Sequence, residues 1–265
     1  MTAVNLTKLN VEIYELLEFF TRPVEFHEHL TRLFSFYSVQ VFRSGQTTQN
    51  NPRIKRYHLP LLIGMQFERL IRKRSQENPD AALRLFDELI TDPYTEVCDL
   101  AASILGSIPA THAHAVLDRI STIGTAWQRD DRLLDFLQRS TAAIIARSSQ
   151  IWLDYLEHTL PITIGDSPRF GLHLLQVSIQ HESFVNTPFF FRHFLLFFPN
   201  ADLRYRQDFL TIISELYRRY PTESLHFFEQ SLLMVNNDAI FRIFRKFLPN
   251  LAESSRPRFR EILKR

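Results

Sequence analysis

"PDAALRLFDELITDPYTEVCDLAASILGSI", residues 79–108, is the stretch on which the fold turns. It reads as a helix, a short turn and a second helix. Asn78 stands before Pro79, and Asp92 before Pro93. A capping-type residue ahead of a proline starts a helix well, because the missing proline N–H falls where a helix has no acceptor for it. Val97, Ala101, Ile104 and Ile108 then recur at intervals of four, three and four residues, which lines one helical face.

The same spacing continues outward. Leu134, Leu137, Thr141 and Ile144 follow it, as do Phe209, Ile213, Leu216 and Tyr220, and then Leu225, Phe228, Leu232 and Val235. Ser167-Pro168 and Thr187-Pro188 repeat the start signal, and Pro199, Pro221 and Pro249 punctuate other segments. Strand signals are nearly absent: there is no Asn-Gly or Asp-Gly turn and no sustained alternation. Helices are expected near 4–20, 23–42, 58–74, 79–90, 93–107, 111–122, 126–147, 149–160, 168–182, 188–198, 203–220, 222–235, 238–248 and 254–264. First helices of successive pairs start near 79, 111, 149, 188 and 222. Second helices start near 93, 126, 168, 203 and 238. Both series advance by about 31 to 42 residues, the period of two-helix repeat arrays.

The turn and second helix of 79–108 resemble the HEAT-repeat pattern, with Asp92-Pro93 in the turn and Val97, Ala101 and Leu105 inside. The residue after that valine, often basic in HEAT repeats, is Cys98. The resemblance is specific over about 30 residues and generic in hydrophobic spacing elsewhere. It implies an all-α chain wound as a right-handed α–α superhelix, of the armadillo/HEAT type. "RSGQTTQNNPRIKRYH", residues 43–58, is polar and breaks the period. The expected organisation is one domain over 1–265: an N-terminal capping hairpin (1–42), an exposed loop (43–57) and helical repeats (58–265).

"NTPFFFRHFLLFFPN", residues 186–200, holds six phenylalanines. It is too short for a membrane span and carries Arg192 and His193. In a stack of helices a middle helix buries more than one face. The expectation is therefore core, with Phe190, Phe194 and Phe197 as one stripe and Phe191 and Phe198 extending it. The first twenty residues are interrupted by Glu12, Glu15 and Glu18 and are not read as a signal peptide. Cys98 is the single cysteine, so no internal disulfide forms, and a reducing, cytoplasmic setting is expected.

Charge is uneven although the net is only +2. Arg53, Lys55, Arg56, Arg69, Arg72, Lys73 and Arg74 outnumber Glu68 in one basic segment. An acidic stretch follows, with Asp80, Asp87, Glu88, Asp92, Glu96 and Asp99 among its residues, and the C-terminus turns basic again. Of the basic group, Arg53, Lys55, Arg56, Arg72, Lys73 and Arg74 are the candidate binding residues, since clustered cations can follow phosphates. No catalytic residue, cofactor or metal site is expected. The histidine pairs 27/29 and 112/114 point to different helical faces, and no HExxH, P-loop, G-x-S-x-G or G-x-G-x-x-G occurs.

One enzyme family is weakly similar. DNA alkylation-repair glycosylases of HEAT-like fold use a tryptophan-rich concave cleft with a catalytic aspartate near a tryptophan. Here Trp127 lies near Asp130 and Asp131, and Trp152 near Asp154, but the family's Trp-Asp dipeptide is missing. The expected function is a non-catalytic scaffold that binds a protein partner over an extended helical surface, without a membrane. DNA binding or base excision through a basic concave face with Trp127 or Trp152 is the alternative, with nucleic acid as its partner.

Overall fold

A computed structural model describes residues 6–38, 55–182 and 185–264. Among these are fourteen α-helices: α1 (Leu6–Leu17), α2 (Pro23–Tyr37), α3 (Leu61–Glu77), α4 (Pro79–Leu89), α5 (Thr95–Leu105), α6 (Ala113–Ala126), α7 (Leu133–Arg147), α8 (Ser149–Asp166), α9 (Pro168–Gln180), α10 (Thr187–Leu196), α11 (Arg206–Arg219), α12 (Pro221–Met234), α13 (Asp238–Phe247) and α14 (Arg256–Ile262). The described residues form no strand; Lys55 and Tyr94 make one isolated bridge. The chain is all-α.

Each expected helix has a counterpart, most with ends shifted by a few residues, and three of the shifts have local reasons; residues 4–5 and 39–42 of the first two expected helices, and 43–54 of the expected loop, lie outside the described residues. The 126–147 segment breaks at a turn, where the Asp130 carboxylate accepts from the Arg132 backbone N–H at 2.9 Å and α7 starts only at Leu133. Pro93 sits in a turn, and α5 begins at Thr95, because Asp92 accepts from the Tyr94 N–H at 2.7 Å. Helix α8 runs past Pro161 to Asp166. A proline inside a helix leaves carbonyls of the preceding turn short of donors. Here the carbonyl that Pro161 cannot serve is that of Glu157, four residues back, while Thr163 donates its hydroxyl to the Leu160 carbonyl at 2.8 Å.

The helices gather into two compact units. Unit 1 comprises residues 1–120 and 138–143, unit 2 residues 121–137 and 144–265. In unit 1, α1 packs on α3 and α3 on α5, while α2 packs on α4. In unit 2, α9 packs on α11 and α11 on α13, while α8 packs on α10 and α12 on α14. Within each unit, therefore, contacts between helices two places apart recur, as they do in stacks of helical pairs. The α4, α6, α8, α10 and α12 starts advance by about 35 residues, the period of such a stack.

Polar links keep the same step. Within unit 1, Arg119 pairs with Asp87 at 2.6 Å, 32 residues away. Within unit 2, Arg192 pairs with Glu157 at 2.7 Å, 35 residues away, and Arg169 with Asp131 at 3.3 Å, 38 residues away. Asn237 donates to the Pro199 carbonyl, also 38 residues back, at 2.8 Å. Exposed pairs of this kind contribute at most about 1 kcal/mol each. Their value is positional, because the same offset recurs along the chain.

The phenylalanine stretch forms α10 and the turn after it. Phe189, Phe190, Phe194, Phe197 and Phe198 are buried. Phe194 meets Phe198 edge-on at 5.0 Å and Phe209 of α11 at 5.6 Å. Phe198 reaches Phe244 of α13 at 6.0 Å, and Phe244 reaches Phe228 of α12 at 5.2 Å. Four helices thus share one aromatic cluster. Arg192 points outward to Glu157, while buried His193 bonds its own helix through the Phe189 carbonyl at 3.0 Å.

Candidate interaction surface

Helix α3 carries most of the basic segment. Its core stripe is Ile63, Phe67, Leu70, Ile71 and Ser75. At about 100° per residue, the opposite arc holds Leu61, Leu62, Met65, Arg69, Arg72 and Lys73. All six are exposed, and Leu61, Leu62 and Met65 expose 78%, 62% and 57% of their surface. The first half of this outer face is therefore apolar and the second half cationic. Helix α1 lies beside it, linked by Gln66 donating to Asn10 at 2.8 Å, and exposes Val11 and Tyr14.

Glu68, the one acid within the basic segment, does not neutralise this face. It accepts from Arg139 at 2.6 Å, and Arg139 also lies 4.0 Å from Asp99. Among the described residues Arg69, Arg72 and Lys73 have no carboxylate within 4 Å. Arg74 does, pairing with Glu77 at 3.3 Å.

Lys55 and Arg56 belong to a different place. The Lys55 carbonyl accepts from the Thr95 N–H at 3.0 Å, at the start of α5. The Glu96 carboxylate accepts from the backbone N–H groups of Tyr57 at 3.1 Å and His58 at 2.8 Å. That grip holds His58 at a φ of 55°, in the left-handed region. Tyr57 stacks on Tyr94 at 4.0 Å. Both Lys55 and Arg56 are exposed there. Arg53 lies outside the described residues.

The tryptophans are occupied by structure. Trp152 is fully buried and donates its indole N–H to Ser178 at 2.9 Å. It has no open ring face for a nucleobase. Trp127 is half-buried, with the Arg132 guanidinium 4.6 Å above its ring and Phe136 at its edge. Arg132 also grips Asp130 with two nitrogens, at 3.1 and 2.7 Å. Burial works to raise the Asp130 carboxyl, and the hydrogen bonds and charge of Arg132 more than reverse it, holding it below the ordinary carboxylate range. Asp131 pairs with Arg169, and Asp154 accepts from Gln150 at 2.8 Å. Cys98 is buried, its thiol directed at the Asp92 carbonyl at 3.2 Å.

The sequence matches no protein-family model, and comparisons with curated proteins and with solved structures find no similar chain.

Among the described residues no helix is long and apolar enough to cross a membrane, and no group of three or more His, Cys, Asp and Glu is placed to hold a metal ion. One histidine is nonetheless tightly held. His27 of α2 places Nδ1 3.0 Å from Glu88 and Nε2 2.7 Å from Asp92. A neutral imidazole has one N–H, so satisfying both carboxylates requires the imidazolium. Burial alone lowers its pKa; the hydrogen bonds and charges of Glu88 and Asp92 outweigh burial and raise it above 6.5. A raised histidine pKa contributes stability that is fully present below the unfolded value and is lost as pH rises through the folded value. The stability advantage of the wild type over His27→Gln is therefore expected to shrink as pH rises above about 6.5. Thermal melts of both proteins from pH 6 to 9 check this. An advantage that grows with pH would mean that His27 is held neutral.

Proposed function

We propose that this chain is a non-catalytic interaction scaffold, a HEAT-like stack of helical pairs that binds a protein partner through an exposed helical face. The supporting observation is the outer face of α3. Leu61, Leu62 and Met65 stand in solvent on consecutive turns, opposite a complete core stripe. Single exposed apolar residues are ordinary, but a contiguous set marks a surface that is covered in use. The two aspartates nearest Trp127 are engaged by arginines, and Trp152 is sealed, which favours binding over base chemistry. A cytoplasmic setting is part of the proposal and rests on the single cysteine.

The test is co-elution of the purified chain with candidates captured by it, set beside its affinity for duplex DNA at about 0.15 M salt, where nonspecific binders typically show Kd values of about 10⁻⁴–10⁻⁶ M. A stoichiometric protein complex with negligible DNA binding is expected. Micromolar or tighter DNA binding without a protein complex overturns the reading in favour of the nucleic-acid alternative.

A further inference from the structure

We propose that the outer face of α3 is the docking site for an acidic amphipathic helix of a partner protein. The inference rests on the scaffold reading above and adds the chemistry of the partner. The six residues occupy an arc of about 120°, with Met65 and Arg72 about 10 Å apart along the axis. A partner helix lying along this face must place apolar side chains against Leu61, Leu62 and Met65. One to three turns along, on the same face, it must place Asp or Glu against Arg69, Arg72 and Lys73. The described residues offer no sheet edge for an added strand, so a helix laid on a helical face is the fitting mode.

Charge complementarity selects the occupant. Among the described residues Arg69, Arg72 and Lys73 have no carboxylate partner, and Glu68, the one acid of the segment, is held by Arg139. Lipid fits less well. A helix lying in a membrane interface keeps apolar residues on one face and cations on the other. On α3 both share one face, so a flat membrane would draw Arg69, Arg72 and Lys73 to the same depth as the leucines. A phosphate backbone fits less well too, since it gains nothing from Leu61, Leu62 and Met65 and would use only half of the face.

The experiment is a selection from a displayed library of 16-residue helical peptides against the whole wild-type chain. Affinities are then measured for the wild type, for Leu62→Ser/Met65→Ser and for Arg69→Glu/Arg72→Glu/Lys73→Glu. All substitutions are on exposed positions, and far-ultraviolet circular dichroism confirms that each variant keeps its helix content. The expected winners carry apolar residues followed on one face by acids, and lose about tenfold or more in affinity for each variant. Winners that bind both variants as well as the wild type overturn the α3 site but leave a protein-binding scaffold standing. No winners, together with binding of phosphatidylserine vesicles or of duplex DNA that the charge reversal abolishes, overturns both. Absence of binding to any probe also overturns both.

Discussion

Replacing Phe194 with alanine is expected to lower stability by about 3–5 kcal/mol, the range for truncating a buried aromatic that leaves a cavity. The ring is fully buried and stands between Phe198 and Phe209, so its loss opens a void in the cluster shared by α10 to α13. Offset and edge-on ring pairs add about 0.5–1.5 kcal/mol beyond area alone, which pushes the value toward the top of the range. Phe191 is the comparator. It is only partly buried and stacks on Phe227 at 4.6 Å, so Phe191→Ala should cost clearly less. Urea unfolding of the three proteins measures both. Equal losses for the two variants, or less than about 1 kcal/mol for Phe194→Ala, would place the Phe194 ring outside the core.

The second large effect comes from adding one carbon. Gly106 ends α5 at a φ of −69°, a conformation that alanine adopts freely. On backbone preference alone, Gly106→Ala should stabilise by up to about 1 kcal/mol. Packing has the opposite sign and wins. A Cβ there would lie 2.1 Å from the Arg139 carbonyl oxygen and 3.1 Å from the Ser140 Cα. Those obstacles are backbone of α7, so no rotamer relieves them and the helix must move. The expected net loss is about 1–3 kcal/mol. At Gly165, within α8, nothing lies within 4 Å of the place a Cβ would take, and Gly165→Ala is expected to hold or raise stability. Melting temperatures of the two variants on either side of the wild type are the expected pattern. A stabilised Gly106→Ala would mean that α5 and α7 stand further apart.

These two positions mark what the sequence reveals and what it withholds. The Phe190–Phe194–Phe197 stripe is readable because its period is local and the helix supplies it. The need for glycine at 106 is not readable, because its neighbour is a carbonyl 33 positions on. His27 is similar: its partners Glu88 and Asp92 are 61 and 65 residues away. Nothing in "VEFHEHL" distinguishes it from His29. The basic segment was visible as composition, but its division was not. Glu96 holds the backbone beside Lys55 and Arg56, whereas Arg72 and Lys73 belong to the far half of α3. The apolar half of that face was within reach by subtraction. Once Ile63, Phe67, Leu70 and Ile71 fill the core stripe of "LLIGMQFERLIRKRSQE", Leu61, Leu62 and Met65 have nowhere to go but outward. Trp152 and Trp127 look alike in sequence, each near aspartate, and only packing separates a sealed indole from one lidded by arginine.

The recurring step between polar partners bears on how the chain can assemble and change. The links in unit 2 from Ser121 to Tyr155, Glu157 to Arg192, His173 to Asp208, Asp131 to Arg169 and Ile179 to Arg219 span 34, 35, 35, 38 and 40 residues. Each closes a loop of nearly the same size. Loop-closure entropy grows only with the logarithm of loop length, and along these links of unit 2 that length stays almost constant. The entropic cost of docking each new pair is therefore the same small increment, however many pairs precede it. Contacts of constant reach also keep relative contact order low as a chain lengthens, so along these links of unit 2 the search is set by segments of about 35 to 40 residues and not by the unit's whole length. For the same reason, a helical pair gained or lost beyond the last of these links would leave the remaining loop closures unchanged.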